Sequence, residues 1–154
     1  MNRVLAIWKR CEAVPFGKAL FSRLVCWKAP YFGSIHPRFE DLRPGYARVR
    51  MKKRRAVTNH IGTVHAIALC NVAEVAAGTM TEVSTPAAMR WIPRGMSVEY
   101  LRKAQTDVEA VATIGAVEEG PAREIPVTVE VRDGSGEVVF RAVIAMWVSP
   151  RPAV

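Results

Sequence analysis

The stretch from Val64 to Ala77 constrains this chain more than any other. It has helical character throughout, and Glu74 is its only side chain charged by default. A surface helix carries a polar face; this one has none, so it is expected to be buried. A lone carboxylate on a buried helix is costly unless it is paired or put to use. Directly ahead runs Asn59-His60-Ile61-Gly62-Thr63-Val64-His65, a polar Asn-x-x-Gly-x-x-His approach. Gly78 is the expected C-terminal stop of the helix.

At 154 residues the chain suits one domain with a sizeable core. The expected division is a helical extension over 1–29 and a core over 30–150, within one unit spanning 1–154. No uncharged apolar run reaches the roughly 20 residues that cross a bilayer. The longest candidate, Ile61 to Ala77, is interrupted by His65, Asn71 and Glu74. Lys9 and Arg10 fall where the apolar part of a secretory signal would run. The expectation is a cytoplasmic protein without a transmembrane segment. Cys11, Cys26 and Cys70 show no C-x-x-C spacing, so neither a disulfide framework nor a metal site is expected. Cys70, inside the apolar helix, reads as a small hydrophobe.

Charge is unevenly placed. Residues 1–60 hold 14 Lys and Arg against 3 acids, net +11; residues 61–154 hold 8 against 11, net −3. A basic first part suits a nucleic acid, an anionic surface or a small polyanion. No helix-turn-helix, RNP-like or zinc signature is present, and the aromatics do not interleave with Lys52-Lys53-Arg54-Arg55; no nucleic-acid partner is expected.

Residues 3–13 and 17–28 read as short amphipathic helices, separated by Pro15-Phe16-Gly17 and closed by Pro30. Packing on the rim of the domain is their expected role; a lid over an apolar pocket, or a weak membrane contact, is the sharper one. After the Pro44-Gly45 turn, Tyr46 to Val57 alternates, with Ala47, Val49 and Met51 on one face and Arg48, Arg50, Lys52 and Arg54 on the other. That is a half-buried strand with a cationic outer face. Beyond the helix, Pro86 and Pro93 break a connecting segment. Strands are expected over Ser97–Lys103 and Val108–Ile114, then a hairpin from Pro126–Arg132 through Asp133-Gly134-Ser135-Gly136 into Glu137–Val148. The fold class is therefore α+β: an antiparallel sheet wrapped around one long buried helix.

That order, with Asn59, Gly62 and His65 at the mouth of the helix and an acid nine residues later, resembles the hotdog fold. More narrowly, it is similar to the phenylacetyl-CoA thioesterase (PaaI-like) branch of the acyl-CoA thioesterases, whose pattern reads N-x-x-G-x-x-H-G-G followed by a helical Asp or Glu. Ala66-Ile67 stand where that pattern has two glycines. The resemblance implies acyl-CoA hydrolysis, with coenzyme A entering as part of the substrate and no separate cofactor. Glu74 would act as general base or nucleophile, and the Ala66 N–H as oxyanion donor. Asn59 would orient water or the carbonyl, and His65 would hold the loop or polarise the thioester. Lys52, Arg54, Arg94, Arg102 and Lys103 are candidates for the coenzyme A phosphates. Leu69, Met89, Trp91 and Trp147 are candidates for an acyl tunnel.

His65 and Glu74 are half a turn apart if both are helical, so one helix cannot readily bring them to one substrate. A two-fold dimer can, one chain supplying the loop and the other the acid; a homodimer, or a dimer of dimers, is expected. The alternative is a hotdog protein that binds acyl-CoA or an acyl-carrier protein without turnover, which the Ala66-Ile67 departure supports.

Overall fold

Alternating small and branched side chains build a six-stranded antiparallel sheet that curves around a single long helix. The computed structural model describes residues 2–152; Met1, Ala153 and Val154, the ends of the expected 1–154 unit, lie outside it. Two helices, α1 (Arg3–Glu12) and α2 (Gly17–Lys28), lead through a 3-10 turn into β1 (Arg38–Arg43) and β2 (Tyr46–Met51). The central helix α3 (Ala66–Ser84) follows, then β3 (Met89–Tyr100), β4 (Val108–Thr113), β5 (Arg123–Arg132) and β6 (Val138–Pro150). The strand order is β1-β2-β4-β5-β6-β3, which leaves β1 and β3 as edges.

The inner face is apolar by alternation. Ala47, Val49, Met51, Ala110, Ala112, Val127, Val129 and Ile144 are essentially fully buried, beneath Val72, Ala73, Ala76 and Met80 of α3. Each buried branched side chain contributes about 1.5–3 kcal/mol, and the alanines allow close approach of helix and sheet. The outer face carries ion pairs instead, Arg48–Glu109 at 3.8 Å and Arg141 between Glu99 (3.7 Å) and Glu130 (3.2 Å). Exposed pairs of this kind add little stability.

The N-terminal helices dock through an aromatic relay: Trp8 meets Phe21 edge-on at 5.1 Å, and Phe21 meets Phe39 of β1 at 5.2 Å. Asn2 caps α1 by accepting from the Val4 N–H (2.8 Å) and donates to the Glu82 carbonyl (2.8 Å), tying α1 to the end of α3.

Several local expectations are corrected. The helix runs past Gly78 to Ser84, because Met80 and Val83 continue its buried stripe. It ends where Pro86 forces Thr85 into extended backbone (φ −82°, ψ 129°). Gly78 serves packing: a Cβ there would sit 3.2 Å from the ring of Trp91. Pro93 interrupts nothing. It lies within β3, on an edge and at a bulge between Pro93 and Gly95, where a missing N–H is tolerated. The strand expected at Ser97–Lys103 accordingly starts at Met89 and ends at Tyr100. β2 stops at Met51 rather than Val57, since the Lys53 N–H leaves the ladder for Asp107 (2.9 Å).

β1 was not anticipated; it has only Phe39 and Leu42 as buried residues. Nor is α3 buried all round. It is long and apolar enough by composition to cross a membrane, yet it lies largely packed on the sheet as a core helix. One sheet covers only part of a helix's circumference. A stripe of Ile67, Cys70, Glu74 and Gly78 stays partly open, Ile67 at 56% exposure.

Candidate functional site

The Asn59–His65 segment folds as a small closed loop. The Asn59 and Thr63 backbones pair (2.9 Å), Thr58 bridges Val64, and the Gly62 N–H returns to the Asn59 carbonyl (3.1 Å). Gly62 sits at φ +76°, the left-handed conformation that glycine adopts without a Cβ penalty. The Asn59 side chain is used within the loop: its Oδ1 accepts from the Ile61 N–H (3.2 Å) and Thr63 N–H (3.1 Å), and its Nδ2 donates to Thr63 Oγ1 (2.8 Å). Both carbonyl lone pairs are therefore taken, and one amide proton is left. Val64 N–H donates to Ala104 (2.8 Å), and His65 N–H to Val57 (2.8 Å), anchoring the loop at both flanks.

His65 is the N-cap of α3. Its backbone is extended (φ −64°, ψ 139°), and its Nδ1 accepts from the Ile67 N–H at 3.0 Å. The cap satisfies one of the free N–H groups of the first turn. The Ala66 N–H has no partner among the described residues. It stands at the positive end of a 19-residue helix, where it can receive an oxyanion.

Asn59, Thr63, Ala66 and Leu69 line a hollow of about 380 Å³, together with Tyr100, Arg102 and Lys103. Four of the expected site residues thus share one place. Arg102 and Lys103 are exposed there, Arg102 3.5 Å from Glu137. Tyr100 closes one side, its hydroxyl 3.4 Å from Cys70 Sγ. That contact, with some burial, raises the phenol above its ordinary pKa.

Glu74 faces elsewhere. It is half-buried, without a hydrogen bond or ion pair among the described residues, and opens into a cavity of about 740 Å³. That cavity lies between α3, β3 and both N-terminal helices, and includes Val4, Phe21, Leu24, Phe32, Gly78 and Trp91. The N-terminal helices therefore both pack on the rim and form a wall over an apolar pocket. Trp91 is held in place by a 2.8 Å hydrogen bond from its Nε1 to Glu82.

Among the tunnel candidates, Trp91 lines the Glu74 cavity and Leu69 the smaller hollow. Met89 is a core residue, and Trp147 lies under Arg94, whose guanidinium stacks on it at 4.1 Å. Of the phosphate candidates, Lys52, Arg54 and Arg94 line neither space. The Arg54 guanidinium donates to the Ser34 carbonyl, and Lys52 is exposed on the strand exit. Arg3 and Lys28, at the edge of the larger cavity, were not singled out from sequence, nor was Tyr100. They come from helix ends and a strand end far away in the chain, and no spacing links them to the motif.

Residues 17–148 match the family described as Domain of unknown function (DUF4442). No curated protein matches the chain. A structural-genomics crystal structure designated APC5556 is 51% identical, covering 96% of this chain and 99% of its own, with a TM-score of 0.84. A Pseudomonas aeruginosa protein of unknown function and probable thioesterase, PA5026, is 26% identical over 90% of this chain and 97% of its own, TM-score 0.77. The thioesterase HI1161 of Haemophilus influenzae, at 12% identity over 78% and 82%, TM-score 0.69, shares the fold. A long helix wrapped by a curved antiparallel sheet, with this match over most of its length, makes the chain a member of the DUF4442 family, within the hotdog thioesterase superfamily.

Proposed function

We propose that this protein is an acyl-CoA thioesterase of the PaaI-like kind, working as a homodimer or a dimer of dimers. Each site would combine the Asn59–Ala66 loop of one chain with the partner subunit's Glu74. The separation of the two groups carries this reading. Ala66 and Glu74 are eight helical residues apart, roughly 12 Å along the axis, and they open into different spaces. One thioester carbonyl cannot meet both in a single chain. The edge strand β3 supports pairing between copies: it is twelve residues long, exposed over most of its length, and shows Ile92, Met96 and Tyr100 to the outside. Such an edge is a liability unless covered.

In this scheme the thioester oxygen accepts from the Ala66 N–H at the positive end of α3. Water attacks the carbonyl carbon as Glu74 takes its proton. The new C–O bond replaces the C–S bond, and the proton passes to the departing thiolate, giving the acid and free coenzyme A. Asn59 and Gly62 shape the loop that aims the N–H; His65 fixes its helix end. Arg102 and Lys103, beside the same hollow, are the basic residues placed to meet the coenzyme A phosphates.

A second reading rests on Ile67. It is largely exposed and lies on the same face of α3 as Glu74, seven residues on, where the family pattern has glycine. Its bulk, directly after the Ala66 N–H, favours a protein that holds acyl-CoA or an acyl-carrier protein without turning it over.

Thiol release from short, long and aryl acyl-CoAs, by wild type and Glu74→Gln side by side, separates the two. Hydrolysis requires turnover that the variant loses by about 100-fold or more. Binding of acyl-CoA by a dimer with no turnover in either protein establishes the second reading.

A further inference from the structure

The cavity at Glu74 is built to a length as well as to a polarity. Its α3 wall runs from Glu74 through Gly78 to Glu82, one residue per turn on one face. Eight residues give a groove roughly 12 Å long, and an extended chain of roughly ten carbons covers that distance at bond lengths near 1.5 Å. The volume of about 740 Å³ leaves room for more, within the range of about 300–1,000 Å³ typical of ligand pockets.

The lining is apolar except for Glu74, Thr79 and Glu82 of α3 and for Arg3 and Lys28. Val4 and Ile7 of α1, Leu24 and Val25 of α2 and Phe32 form the wall opposite α3. Glu82, at the far end, is neutralised as an obstacle: its carboxylate accepts from Trp91 Nε1 (2.8 Å) and Asn2 Nδ2 (3.3 Å). Glu74, at the near end, accepts from nothing among the described residues. Gly78 sits between them, and any side chain there would enter the groove against Trp91 (3.2 Å from an added Cβ).

We propose that α1 and α2 form the acyl-binding wall of the site, and that its ligand is an unbranched acyl chain of about ten carbons or more. The chain lies along α3 from the thioester at Glu74 toward Trp91. The inference rests on the thioesterase reading for the word acyl; the pocket itself rests on the lining. A second copy of the protein does not fit the same concavity, since its walls come from three sides of one chain. The exposed β3 edge is the surface that a second copy covers.

The test uses wild type, Gly78→Leu and Leu24→Trp. Saturated acyl-CoAs from C4 to C16 are assayed for thiol release, and butyrate and palmitate for binding by the change in tryptophan fluorescence. A misfitting methylene in an apolar pocket costs about 10-fold or more in discrimination. The proposal predicts a wild-type optimum at C10 or longer, and a C14-to-C4 ratio that falls at least 10-fold in Gly78→Leu. Leucine is a good helix former, and Leu24 is partly exposed, so either variant reports if the other misfolds. Palmitate binding weakened by Gly78→Leu, with no hydrolysis of any thioester, keeps the pocket and removes the thioesterase. Hydrolysis with no preference for chains above C4, or a profile unmoved by both variants, overturns the pocket and leaves the thioesterase standing.

Discussion

The two ends of the proposed site are made in opposite ways. The Asn59–Ala66 loop is a local structure: one glycine at positive φ, one asparagine bonded within four residues, one histidine capping the helix it precedes. The Glu74 cavity is assembled from α1, α2, α3, β3, the turn after α2 and Met146 of β6, residues up to about 140 positions apart in the chain. A local device takes its shape from bonds within a few residues and needs only the Val64–Ala104 and His65–Val57 bonds to seat it. An assembled cavity exists only while every wall is docked. Aim and specificity are thus supported by separate interactions, and each can be damaged without the other.

The largest expected effect is on the assembled end. Phe21 is 2% exposed and clamped between Trp8 and Phe39. Phe21→Ala costs about 3–5 kcal/mol, enough to lower Tm by on the order of 10 °C in a chain of this size. A thermal melt checks the stability, and acyl-CoA kinetics check that chain-length preference is lost before short-chain turnover. Equal loss of both would mean that the N-terminal helices also hold the loop.

Gly62→Ala strikes the local end. Alanine at φ +76° costs roughly 1–2 kcal/mol, a Tm drop of a few degrees. Turnover falls for every chain length alike, because the N–H is misaimed and the acyl wall is untouched. A chain-length-dependent loss would contradict the separation of the two ends.

The smallest effect sharpens the role of His65. Its ring nitrogen caps α3, so His65→Ala costs about 1 kcal/mol, whereas His65→Asn keeps a capping oxygen and restores most of that loss. If the imidazole takes part in chemistry, asparagine restores the melt and not the rate. Recovery of both by His65→Asn assigns the residue to the cap.

The same contrast explains what the sequence disclosed. Asn59, Gly62 and His65 are legible because their spacing is itself the structure. The central helix was legible from its lack of charge, and the β5–β6 hairpin from its alternation around Asp133-Gly134. β1 was not, since two buried residues and a bulge leave no periodic signal. Pro93 misled because a proline argues against a central strand, and β3 is an edge. Gly78 misled because a helix-stop residue and a close-packing residue are the same residue; only Trp91, thirteen positions later, distinguishes them. Lys52, Arg54 and Arg94 line neither space, because alternation along the chain fixes a face, while reaching a phosphate depends on where that face sits in the fold. Arg102 and Lys103 sit beside the loop through Val64–Ala104 pairing, a long-range contact with no trace in local composition.

Sharing of the site between two copies is the central claim, and complementation tests it most directly. Ala66 is the first residue of α3, where proline is tolerated and deletes the N–H alone. Ala66→Pro and Glu74→Gln chains are each expected to be inactive as homodimers. Co-folded in equal amounts, they form mixed dimers in which one of the two sites is intact, and thiol release returns to about a quarter of the wild-type rate for a two-fold assembly. No recovery in verified mixed dimers would place the N–H and the acid in one chain and contradict the shared site.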